Sequence, residues 1–117
     1  MDTTADTRLV DFRSRFLPKL IAVFQPQLVI AFGSRSRGEA LRHSDLDLLI
    51  VSDAFAGVRW LDRSVKVLEG LELPFGADLL CYTPEEYEQK EQELGIVSTA
   101  SREGLVLYKS DESHHLS

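Results

Sequence analysis

Gly33-Ser34-Arg35-Ser36-Arg37-Gly38-Glu39-Ala40-Leu41-Arg42-His43-Ser44-Asp45-Leu46-Asp47-Leu48-Leu49-Ile50-Val51 is the stretch that decides the fold. Its end reads as a buried strand, 46–51, because it is short, apolar and partly β-branched. Two aspartates stand at the mouth of that strand. Side chains alternate along a strand, so Asp45 and Asp47 point to one face, with Cα atoms about 6.5 Å apart. Two carboxylates so spaced can hold one hard cation or share two. Aspartate is depleted in strands, so the second one calls for a reason.

The upstream part of the stretch has the composition of a phosphate cradle. Gly33-Ser34 follows directly on another short apolar run, 27–32, also read as a strand. Gly33 permits a tight turn and a close ligand approach. Backbone N–H groups in such a turn point at anions, and the Ser34 hydroxyl can donate to a phosphate oxygen. Arg35, Arg37 and Arg42 add fixed positive charge within eight residues. Gly38 allows a second turn.

Outward from this centre, the pattern is α/β. Leu9, Phe12, Phe16, Leu20 and Phe24 recur at helical spacing, with a kink or break expected at Pro18 and an end at Pro26. Trp60, Leu61, Val65 and Leu68 form a second helical series, with Gly70 as its stop and Trp60 expected in the core. Ala77 to Tyr82 is a third strand, and Asp78 repeats the oddity of an acid opening an apolar run. Thr83-Pro84-Glu85-Glu86 is a helix start with a capping box, running to about Leu94. A short helix over 96–103 and a strand from Leu105 to Tyr108 complete one layered α/β domain over 1–109 with a single central sheet. Residues 110–117 read as a polar, disordered tail. The acidic run Glu85, Glu86, Glu88, Glu91 and Glu93 reads as a solvated helix face, and Cys81 as a buried, unreactive thiol.

Composition bounds the function. The chain has 117 residues and 44% hydrophobic content, enough for one core. Thirteen basic against 19 acidic residues give a net charge of −6, which disfavours direct nucleic-acid or membrane-surface binding. The single cysteine excludes an internal disulfide. With no leader-like start and no long apolar run, a cytoplasmic location is the expectation.

Gly33-Ser34, ten residues, then Asp45-Leu46-Asp47 closely resembles the signature of the nucleotidyltransferase superfamily related to DNA polymerase beta. Within it, the chain is similar to the small minimal nucleotidyltransferases. Gly-Ser-Arg-Ala-Arg-Gly is a frequent form of that motif; Ser36 stands here for the alanine. The closing Arg102-Glu103-Gly104-Leu105-Val106-Leu107-Tyr108 also fits. The resemblance implies a mixed sheet of about four strands flanked by helices. It implies a carboxylate triad of Asp45, Asp47 and Asp78 holding Mg²⁺, two ions by the family pattern. Gly33, Ser34, Arg35 and Arg37 would then bind the triphosphate of ATP. It further implies a partner, a HEPN-type toxin encoded nearby, whose tyrosine would receive AMP, the chain acting as antitoxin. The chain ends about nine residues after the last strand, so the acceptor surface is expected from another chain. Two other readings stay open here: transfer to a small molecule such as an aminoglycoside, and a catalytically inactive antitoxin that neutralises by binding alone.

Overall fold

The computed structural model describes residues 9–32, 46–73, 77–93, 95, 102 and 104–110. The expected strands form one four-stranded mixed sheet in the order β3-β2-β1-β4. They are β1 (Leu28–Ala31), β2 (Leu46–Val51), β3 (Ala77–Tyr82) and β4 (Leu105–Lys109). Strand β1 pairs antiparallel with β2 and β4, while β2 and β3 run parallel. A parallel pair requires a crossover. Helix α2 (Trp60–Leu71) supplies it, after a short 3₁₀ turn over Asp53–Phe55.

The first helical stretch shows how Pro18 is accommodated. A wide π turn spans Phe12–Phe16, and α1 (Leu17–Phe24) follows with the proline in its first turn, where no N–H donor is needed. The stretch ends at Gln25 in the left-handed region (φ 49°), one residue before Pro26. Helix α1 and the π turn pack with α2 on one face of the sheet, around Phe12, Leu20, Leu48, Ile50, Phe55 and Val67. Alternate strand residues supply the other face, where Leu28, Ile30, Phe32, Leu49 and Val51 meet Tyr82 and Tyr87. Tyr87 lies on α3 (Pro84–Glu91). Helix α3 starts with the expected capping box: Glu86 N–H donates to Thr83 Oγ1, and Thr83 N–H donates to Glu86 Oε1.

Helix α2 departs from expectation in two ways. It runs through Gly70 and stops at Glu72, which takes the left-handed conformation (φ 52°). At Gly70 a Cβ would sit 3.4 Å from the Phe24 ring, an ordinary contact distance, so the packing leaves room for a methyl group. Replacing a mid-helix glycine by alanine removes unfolded-state entropy worth up to ~1 kcal/mol. Gly70→Ala should therefore raise the melting temperature by a few degrees, read by a circular dichroism melt; a fall would mean that Phe24 cannot yield. The second departure concerns the apolar series. The core takes Arg63, Val67 and Leu71 from this helix, whereas Trp60, Leu61 and Val65 stay exposed.

Arg63 explains that rotation. Its guanidinium is buried and donates from Nε to Val58 O (2.8 Å), from Nη1 to Cys81 O (3.1 Å), and from Nη1 and Nη2 to the two Glu86 carboxylate oxygens (2.6 and 3.2 Å). Glu86 is therefore more than a solvated residue of an acidic run. It ties α2 to the start of α3, and the Arg63 hydrogen bond holds its carboxyl below the ordinary 4.5. Cys81 is buried as expected, and burial pushes its thiol up to about 12.

The preceding helix, expected to reach about Leu94, ends at Glu91 with Gln92 as its C-cap. The predicted short helix over 96–103 lies outside the described residues apart from residue 102. The polar tail also lies outside them beyond residue 110.

Candidate active site

Parallel pairing of β2 with β3 sets Asp47 directly beside Asp78 in register. Both belong to the strand face that carries Leu49, Val51, Leu80 and Tyr82, by the two-residue alternation of side chains. The mouth of β2 is held from its other side as well, because Phe32 N–H donates to Asp47 O (3.0 Å). Asp47 is only 1% exposed, while Asp78 on the edge strand is open to solvent.

These two carboxylates line a cleft of about 350 Å³ with Phe32, Leu80, Ser64 and Leu68. The register makes them neighbours on adjacent strands, whose backbones lie about 4.8 Å apart in a sheet, and carboxylate oxygens are the natural ligands of a hard cation. Among the described residues, no group of three or more metal-ligating side chains occurs, so the pair Asp47–Asp78 is the part of the expected triad that the structure brings together. Asp45, Gly33, Ser34, Arg35 and Arg37 lie outside the described residues.

A larger groove of about 780 Å³ opens at the opposite end of the sheet, against Phe24, Gln27, Ser52, Asp53 and Tyr108. It offers one carboxylate, Asp53, which already accepts from Gln27 Nε2 (3.1 Å). Size alone would favour this groove. The chemistry favours the smaller cleft, where two carboxylates converge.

Arg63 is the residue that sequence reasoning missed. Its trace in the sequence is slight: Val67 and Leu71 share Arg63's side at four-residue spacing, which does not outweigh the apolar series Leu61, Val65 and Leu68.

No helix among the described residues is long and apolar enough to cross a membrane. Comparison with known proteins identifies relatives. Residues 13–110 match the nucleotidyltransferase domain family. A curated protein of Haemophilus influenzae, named "Probable protein adenylyltransferase MntA", is 42% identical over 52 residues. That match spans 44% of this chain and 46% of the relative, so the chain aligns with about half the length of the curated relative. A crystal structure assigned as a nucleotidyltransferase from Sulfolobus solfataricus superposes with a TM-score of 0.57 at 22% identity, covering 92% of this chain and 94% of the other. A mutant form of the MntA–HpeT toxin–antitoxin complex is matched with a TM-score of 0.40 at 18% identity, over 96% of this chain and 78% of that one. The family match covers most of the chain, the fold agrees with that of the Sulfolobus protein, and a carboxylate pair stands at the mouth of the central strands: the chain belongs to the nucleotidyltransferase domain family.

Proposed function

We propose that this chain is a Mg²⁺-dependent nucleotidyltransferase that moves AMP from ATP to a tyrosine hydroxyl of a partner protein, a HEPN-type toxin, and so acts as its antitoxin. The observation that carries the reading is the in-register pair Asp47–Asp78 in a cleft, on a chain of the nucleotidyltransferase family. The printed name of the Haemophilus relative supports the choice of a protein as acceptor.

In this reading Asp45, Asp47 and Asp78 form the ligand set, and Gly33, Ser34, Arg35 and Arg37 bind the triphosphate. Mg²⁺ bound there would neutralise the phosphates and lower the pKa of the attacking hydroxyl. Asp47 is buried on a strand paired on both sides, and its carbonyl accepts from Phe32 N–H, so its carboxylate is held in place. Asp78 is solvent-facing and suited to take the acceptor's proton. The hydroxyl oxygen bonds to the α-phosphorus, the bond from that phosphorus to the bridging oxygen breaks, and pyrophosphate leaves. Ser34 and the backbone at 33–34 would steady the charge that develops on the leaving group.

The test mixes the purified chain with α-labelled ATP, Mg²⁺ and the product of the adjacent gene. Label on that product, lost with Asp45→Asn/Asp47→Asn, is the expected result. Neutralisation of the product without label would overturn transfer in favour of binding alone, and label on an aminoglycoside instead would overturn the protein acceptor.

A further inference from the structure

Helix α2 places its strongest apolar series outside the core. Leu61, Ser64, Val65 and Leu68 stand at positions i, i+3, i+4 and i+7, which is one helical face. Leu61 is 78% exposed and Val65 48%, and Trp60 beside them is 43% exposed. The other half of the same face is the cleft wall, since Ser64 and Leu68 line it together with Asp78. The face is therefore continuous with the candidate active site, and Leu61 lies about 10 Å along the helix from Leu68.

The neighbouring strand adds a second feature. Strand β3 is an outer strand of the sheet. Tyr82 O accepts from Ser52 N (2.9 Å), so residue 82 turns its backbone groups toward β2. By alternation, residues 77, 79 and 81 turn theirs outward. At residue 81 the outward carbonyl is covered by Arg63 Nη1. At residues 77 and 79, which border the cleft, no strand pairs with that edge among the described residues.

Resting on the transferase reading above, we propose that the face of Trp60, Leu61 and Val65, with the adjoining edge of β3, is the docking surface for the acceptor protein. An acceptor seated there brings its hydroxyl over Ser64 and Leu68 to the carboxylates. The chemistry of the face selects the kind of partner. Arg59, Asp62, Lys66 and Glu69 flank the apolar residues with both signs of charge, so the surface fits an apolar protein patch rather than a polyanion.

The experiment compares the wild-type chain with Leu61→Asp/Val65→Asp, and with Val23→Asp as a control at an exposed apolar site on α1. Binding to the adjacent-gene product is measured by titration calorimetry, transfer by α-labelled ATP, and ATP binding separately; matching thermal melts establish folding. The double variant should bind the partner at least ~10-fold more weakly and show a raised KM for it, with ATP affinity unchanged and the control like wild type. Equal partner binding by wild type and double variant would overturn the surface while leaving transfer standing. Loss of binding in the double variant without any wild-type labelling would support the surface and overturn the transferase reading. A wild-type dimer that the double variant dissolves, with partner binding intact, would assign the face to self-association and overturn the proposal.

Discussion

Asp47→Asn is expected to lower nucleotidyl transfer by roughly three orders of magnitude and to leave the fold standing. The size follows from what a carboxylate–cation contact supplies at developing phosphate charge, where even a single neutral donor contributes ~100- to 1000-fold. The intact fold follows from position. Asp47 is 1% exposed, so the amide removes a buried charge without changing shape. The thermal melt should therefore hold or rise, while Mn²⁺ binding by calorimetry, in the absence of nucleotide, weakens. Retained transfer with unchanged Mn²⁺ affinity would remove Asp47 from the site. A collapsed melt would make its role structural.

The largest loss of stability is expected at Arg63. Arg63→Met keeps much of the volume but removes four hydrogen bonds, two of them to the carbonyls of Val58 and Cys81. Breaking a buried ion pair from one side costs roughly 3–5 kcal/mol. Glu86 is 43% exposed in its side chain and can be rehydrated, which brings the expectation to about 2–3 kcal/mol. Urea unfolding measures it, and a cost under ~1 kcal/mol would show that water replaces the guanidinium. The same pair predicts a pH dependence. The folded carboxyl of Glu86 is held below its ordinary 4.5, first by the hydrogen bond from Arg63. A depressed acid stabilises the fold above its unfolded value, and that contribution is lost as pH falls from about 4.5 through the lower folded value. Arg63→Met should flatten the stability profile in that window.

Much of the architecture was legible in local chemistry. The bounds of β2 and β3, the capping box at Thr83 and the break around Pro18 all match, because each depends on neighbours along the chain. The oddity of Asp78, an acid opening an apolar run, was legible for the same reason. Which face of α2 turns inward was not. Its apolar series points to Leu61 and Val65, yet a buried cation wins, because Arg63 finds two carbonyls and a carboxylate that come from Val58, Cys81 and Glu86. Partners 18 and 23 residues away cannot be read from periodicity. Gly70 misleads likewise: it resembles a helix stop, but the helix runs through it to Leu71.

By itself, then, the amino-acid order determined the strands, the helix starts, the family motif and the identity of the acidic residues, all of which depend on local spacing and side-chain type. Only the tertiary structure decided that β2 and β3 lie side by side and parallel, so that Asp47 and Asp78 meet in register. It also decided that the apolar face of α2 is left outside, running into the cleft. Both depend on strand order and helix rotation, which are set by long-range hydrogen bonding and burial that no short window of sequence contains.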